Sequence, residues 1–169
     1  MTYRALPLAL IASVACSDSP APNPEANFPK TFLWGAAVAG FQSDMGCPTL
    51  PADKCEDRAS DWYQWVTDPD IIANPNAHVT GEPLSNGPGM RELYASDLAL
   101  AKDELHHNAI RLSIEWSRLF PDGAAETANT VDELEAYVDA DGLAYYNALF
   151  DEIRRLGLKP LVTLNHYTL

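Results

Sequence analysis

Apolar residues along this chain follow two periods in turn. From Met90 to Leu105 they recur at helical spacing: Tyr94, Leu98, Ala101 and Leu105 share one face of a predicted helix. Over "NAIRLSIEWSRLFP" (108–121) the period drops to that of a strand. Ile110, Leu112, Ile114 and Trp116 fall on one side, and Arg111, Ser113 and Glu115 on the other. "ADGLAYYNALFDEIRRLG" (140–157) returns to the helical period through Leu143, Tyr146, Phe150 and Ile153, and Gly157 suits the position just past the last turn. Between these two elements, Thr130 and Glu133 carry the capping-box pattern that opens a short helix.

Two further apolar runs complete the pattern. "TFLWGAAVAGFQ" (31–42) is short and rich in Gly and Ala, as a tightly packed strand would be. "LVTL" (161–164), starting behind Pro160, reads as a strand buried on both faces, and Asn165, His166 and Tyr167 follow where it runs out. Residues 47–89 form a long loop with turn signals at "NPN", "TGEP" and "NGPG", interrupted by a short aromatic helix, "DWYQWV" (61–66).

The alternation of strand and helix predicts βα units around a parallel sheet. Such a sheet needs both faces covered, yet no helix follows the strand 161–164 before the sequence stops at Leu169. The fold class expected is therefore α/β, the N-terminal part (about three strands) of a larger and here incomplete fold. The sequence reads as cut within that fold.

Composition narrows the picture without changing it. The 169 residues are 47% hydrophobic and 21% charged, the balance of a globular protein. Lys plus Arg number 11 against 24 Asp plus Glu, a net charge of −13. Such a surface argues against nucleic acid as a partner, since phosphate binding rests on Lys and Arg.

The first residues stand apart from the fold. "MTYRALPLALIASVAC" (1–16) has one early Arg4, an apolar stretch and small residues before Cys16, the layout of an export signal. Cys16 sits where a bacterial lipoprotein would be cleaved and lipidated. Plain signal cleavage nearby is the alternative, and a lipid there would be the only membrane attachment expected. Residues 17–27, with three prolines in "SDSPAPNPEAN", form a tether. Cys47 and Cys55 share one Pro-rich loop, and an oxidising compartment would favour a disulfide between them over two unpaired thiols or a metal site.

Candidate chemistry collects at strand ends. Gln42, Asn165 and His166 close the first and third predicted strands, and Gln and His side chains can each make two hydrogen bonds, which suits sugar hydroxyls. Trp34, Trp62, Trp65 and Trp116 offer flat faces on which sugars stack, although each is also an ordinary core residue. Arg111 lies within an apolar strand, where a guanidinium needs a carboxylate partner. Glu115 is too far along an extended strand to be that partner, which is expected beyond Leu169.

Taken together, "FPKTFLWGAAVAGFQSDMG" (28–46), "NAIRLSIEWSRLFP" and "GLKPLVTLNHYTL" (157–169) resemble the first three strand motifs of family 1 glycoside hydrolases. That family consists of retaining β-glycosidases on a (β/α)8 TIM barrel. "AGFQSDMG", "DWYQWVTDPD" and "NGPG" are most similar to its archaeal-type β-galactosidase/β-glucosidase branch. The resemblance spans nearly all of residues 28–169. It implies that Gln42 and His166 bind the non-reducing sugar and that Arg111 pairs with the catalytic nucleophile. Trp116 is implied to be structural near the site. The sequence departs from the family at Asp44, where Glu is common, and at Tyr167, where Trp is usual.

The resemblance implies hydrolysis of terminal β-linked glucose or galactose from a glycoside or oligosaccharide substrate, with no cofactor and no metal. The family's acid/base Glu lies in an Asn-Glu-Pro motif and its nucleophile in a Glu-Asn-Gly motif, and neither occurs in these 169 residues. Both glutamates are expected beyond Leu169. No catalytic residue is therefore expected within the chain, and Glu115 matches a family position that is not catalytic. The alternative is a non-catalytic, degenerate or sugar-binding short product. Another barrel hydrolase family fits the three motifs poorly. Sugar preference and oligomeric state are not written in these residues.

Overall fold

The computed structural model describes residues 28–166. The expected export signal with Cys16, the tether, Tyr167 and Leu169 lie outside the described residues. So do the two glutamates expected beyond Leu169, on which the structure bears in neither direction. The chain falls into two units, one ending at Phe32 and the other running from Leu33. Of the first, Phe28 and Phe32 bring their rings to 4.5 Å.

The second unit opens with strand β1 (Gly35–Ala37) and a single helical turn, α1 (Gly40–Asp44). Three short helices follow, α2 (Ala52–Cys55), α3 (Asp61–Thr67) and α4 (Pro69–Ala73), before the longer α5 (Met90–Asp103). Strand β2 (Ala109–Ser113) leads into α6 (Trp116–Leu119), α7 (Val131–Glu135) and α8 (Ala140–Arg155), and β3 (Lys159–Thr163) ends the described elements. The three strands are parallel and lie in chain order, with β2 central. Ala36 is level with Ile110, and Ile110 with Pro160. This is the order expected of the opening of a βα barrel.

The core lies on one face of β2. Ile110 and Leu112 point to that face and meet Leu98 of α5 and Tyr146, Leu149 and Ile153 of α8. Burying each large aliphatic side chain there contributes roughly 1.5–3 kcal/mol. Arg111 and Ser113 alternate onto the opposite face, where Arg111 is partly buried and the Gly40 N–H of α1 reaches the buried Ser113 hydroxyl. The polar candidates gather past the C-terminal ends of the strands.

The structure shortens both predicted N-terminal strands. The run 31–42 is strand only over 35–37, because Gly and Ala offer little side chain to pack and the chain turns into α1, carrying Gln42 off the strand. Pairing of β2 stops at Ser113, and Trp116 begins a helix instead of extending the strand. The switch has a visible cause: the Glu115 N–H leaves the sheet ladder and donates to the Tyr146 hydroxyl at 2.7 Å.

Both long helices form, with their buried stripes adjusted. On α8 the buried residues are Gly142, Tyr145, Tyr146, Leu149 and Ile153, whereas Leu143 is exposed and Phe150 only partly covered. The stripe is rotated toward Tyr145, whose hydroxyl finds a buried acceptor. On α5, Leu98 is buried, but Leu105 lies past the helix end and is exposed. Gly157 takes φ +67° just after α8, the left-handed conformation that ends a helix there. Thr130 caps α7 by accepting the Glu133 N–H, and Glu133 reaches back to the N–H of Asn129 at 2.7 Å.

Candidate functional site

At the C-terminal ends of the strands a cleft of about 250 Å³ is lined by Ala39, Phe41, Gln42, Asp61, Trp62, Glu115 and His166. Gln42 and His166, far apart in the chain, thus face one space. Each arrives by a different route. Gln42 sits on α1, whose buried side is formed by Gly40, Phe41 and Asp44, leaving the Gln42 side chain outward. His166 follows β3, and Trp62 is fixed at the start of α3, where the buried Ser60 hydroxyl accepts its N–H at 3.1 Å. The cleft therefore joins a flat aromatic face to amide and imidazole hydrogen-bonding groups.

Glu115 forms its floor and is only 1% exposed. Its Oε1 accepts the Ser113 hydroxyl at 2.6 Å and the Gly40 N–H at 3.2 Å. The same Gly40 N–H also points to Ser113 Oγ at 3.2 Å. A β-carbon on Gly40 would stand 2.2 Å from Glu115 Cγ, so only glycine allows this approach. Glu115 is thus committed to holding α1.

Arg111 is partly buried on the sheet face opposite the core, and its Nε donates to Thr163 Oγ1 at 2.9 Å. The carboxylate mate that an Arg in an apolar strand demands is not among the described residues within ion-pair distance. Open to one side, the guanidinium keeps part of its hydration, and a neutral hydroxyl on the neighbouring strand supplies one acceptor. Trp116 is 41% exposed, donates its indole N–H to the Leu164 carbonyl, and packs its ring 5.6 Å from that of Phe120. With Asn165 it lines a separate cleft of about 650 Å³. Trp116 and Asn165 thus lie beside the Gln42–His166 cleft and not in it.

Cys47 and Cys55 are joined by a disulfide with their Cα atoms 5.9 Å apart. The loop it closes is tied down on a second side, where Glu92 of α5 accepts the N–H groups of Thr49 and Leu50 and the hydroxyl of Thr49.

A buried ionic network beneath α1 was not anticipated from the sequence. Arg118 Nε donates to Asp44 Oδ2 at 3.0 Å, and the Tyr145 hydroxyl donates to Asp44 Oδ1 at 3.1 Å. Arg118 Nη2 reaches the Cys55 carbonyl at 2.8 Å, while Ser117 donates to Asp57 at 2.7 Å. Burial raises the Asp44 carboxyl to about 6 despite the opposing pull of Arg118 and the Tyr145 hydrogen bond. Burial also raises Asp57, and burial with the neighbouring Asp44 pushes the Tyr145 hydroxyl far above its usual range. The signal that could have found the network is the charge opposition of Asp44 and Arg118, each following the C-terminal end of one of two adjacent strands. Among the described residues no group of three or more His, Cys, Asp or Glu is placed to hold a metal ion.

Comparison with known proteins gives a consistent result. The model of glycosyl hydrolase family 1 matches residues 24–169. A β-galactosidase of Pyrococcus woesei is 34% identical over 164 residues, which cover 84% of this chain and 30% of that protein. A β-galactosidase of Saccharolobus solfataricus is 31% identical, over 85% of this chain and 31% of that protein. Among solved structures, the β-glycosidase of Thermosphaera aggregans superposes with a TM-score of 0.72 at 28% identity, over 84% of this chain and 32% of that one. Fpglu1 from Fervidobacterium pennivoraus does so with a TM-score of 0.74 at 32% identity, over 85% and 30%. The chain spans about 30% of the length of the curated relatives it matches.

Proposed function

Since the chain belongs to glycosyl hydrolase family 1, we propose that its residues form the sugar-holding wall of a retaining β-glycosidase acting on terminal β-linked glucose or galactose. The observation that carries this reading is the single cleft shared by Gln42, His166 and Trp62. Gln42 and His166 hydrogen-bond the hydroxyls of the non-reducing sugar, and the Trp62 ring covers one of its apolar faces.

Hydrolysis with retention uses two carboxylates roughly 5–5.5 Å apart, one attacking the anomeric carbon and one protonating the leaving oxygen. Neither an Asn-Glu-Pro nor a Glu-Asn-Gly motif occurs in these residues, and Glu115 is buried with its Oε1 accepting from Ser113 and Gly40. The chemistry is therefore assigned to groups beyond Leu169 that join this wall in the whole enzyme. Arg111, with no carboxylate partner in ion-pair range among the described residues, is assigned to hold the nucleophile ionised. A second reading, sugar binding without hydrolysis, draws on the same cleft and the same missing carboxylate pair.

Two assays on the 169-residue chain test this. It should bind methyl β-D-glucoside or methyl β-D-galactoside, and Gln42→Ala should weaken binding roughly 5- to 100-fold, the loss of one or two hydrogen bonds. It should release no nitrophenol from 4-nitrophenyl β-glycosides. Binding unaffected by Gln42→Ala, or turnover by the chain alone, would refute the assignment. We further propose that the protein works outside the cytoplasm, which the Cys47–Cys55 disulfide supports. An intact N-terminus on a cytosolic tagged fusion would refute export, and failure of labelled fatty acid to reach Cys16 would refute lipidation.

A further inference from the structure

Gln42 stands on a helix that cannot hold itself. The five-residue α1 has no side-chain cap at Ala39, and one turn is well below the length at which a helix persists alone. Its orientation must come from contacts at its two ends. At the first, the Gly40 N–H is held by Ser113 and Glu115, both buried. At the second, Asp44 is held by Arg118 of α6 and Tyr145 of α8. Gln42 lies between these anchors, on the opposite side of the turn.

We propose that Asp44, Arg118 and Tyr145 are positioning residues for Gln42, clamping the far end of α1 so that the amide faces the sugar cleft. The clamp also reaches the disulfide loop, because Arg118 holds the Cys55 carbonyl. Arg118 thereby fixes α1 relative to residues 47–55 with a side chain that is 7% exposed, and its guanidinium fork sets both distance and angle. Asp44 is 3% exposed and is faced by Arg118, Tyr145 and, at longer range, Arg91 of α5. None of the three clamp residues lines the Gln42–His166 cleft, so their effect on sugar passes through Gln42.

This inference rests on the sugar-binding reading for its affinity readout but carries a second one that does not. In the 169-residue chain, Asp44→Asn removes the charge opposite Arg118, Asp44→Glu restores a carboxylate, and Tyr145→Phe deletes one hydroxyl. The binding of methyl β-D-glucoside is measured for each, together with the 15N order parameter of the Gln42 backbone amide and the thermal midpoint. Asp44→Asn should weaken sugar binding about tenfold and lower the Gln42 order parameter from roughly 0.85 toward 0.6. Asp44→Glu should recover binding to within about threefold of native, and Tyr145→Phe should weaken it about threefold, the effect of one hydrogen bond. A merely structural role would lower the midpoint and leave the Gln42 readouts of the folded variants native, and that result overturns the clamp. Should Asp44→Asn fail to fold, Tyr145→Phe decides by the same two readouts. Should the native chain bind no glycoside, the sugar-binding reading fails separately, and the order parameter alone decides the clamp.

Discussion

Asp44 makes the pH dependence of this fold predictable in sign. Its folded carboxyl stands at about 6 against 3.8 when free, because burial disfavours the charge more than Arg118 and Tyr145 favour it. A raised carboxyl means that the native state holds its proton more tightly than the unfolded chain. The stability from that proton is fully present below about pH 4 and is lost as pH rises through 6. Asp57 acts in the same direction. The thermal midpoint of the native chain, referred to that of Asp44→Asn, should therefore fall between about pH 4.5 and about pH 7. A rise over that range would contradict the assignment. Residue type made Gln42 and His166 legible as candidates, since polar groups at the ends of apolar runs stand out. The Asp44–Arg118 pair was not legible, because alternation placed the whole run 108–121 on one strand and hid the turn that aims Arg118 back at α1.

Single elements carry two further expectations. Gly40→Ala would press a methyl group onto Glu115 Cγ at 2.2 Å. Overpacking of this kind costs about 1–3 kcal/mol and should displace α1, so both thermal midpoint and sugar affinity should drop. Replacing Cys47 and Cys55 by Ser opens a loop whose ends are eight residues apart. Its closure is worth about 2–3 kcal/mol by chain entropy, a fall of roughly 5–10 °C in midpoint for a chain of this size. The same calorimetric scan checks both. Elements with strong periodicity, α5 and α8, could be read from the sequence, but the rotation of the α8 stripe could not. Tyr145 is held on the buried face by partners from other elements, Asp44 of α1 and Arg91 and Tyr94 of α5, tertiary facts outside helical spacing. The helices α2 and α4 inside the long loop were missed because each is shorter than two turns and gives no periodic signal.

At the scale of the molecule, the described sheet is the opening of a (β/α)8 barrel, three parallel strands with helices on one face. Leu161 and Val162 of β3 and Leu164 just past it are exposed, as is Trp34 beside β1. Both outer strands present unpaired backbone groups among the described residues, a surface that favours association. Sedimentation of the 169-residue chain should accordingly show mass rising with concentration; a monomer at every concentration would contradict this. The fold class was legible at this scale because strand–helix alternation survives errors in any one boundary. The cleft was legible only through the family resemblance, since no local pattern links Gln42 to His166. The central claim is that these two residues hold one sugar. Its most direct measurement follows the side-chain amide resonances of Gln42 and the ring resonances of His166 while methyl β-D-glucoside or methyl β-D-galactoside is added. Both should shift together along one saturating curve, with Trp62 moving in step. Shifts at neither residue, or at sites away from the cleft with Gln42 and His166 unmoved, would contradict it.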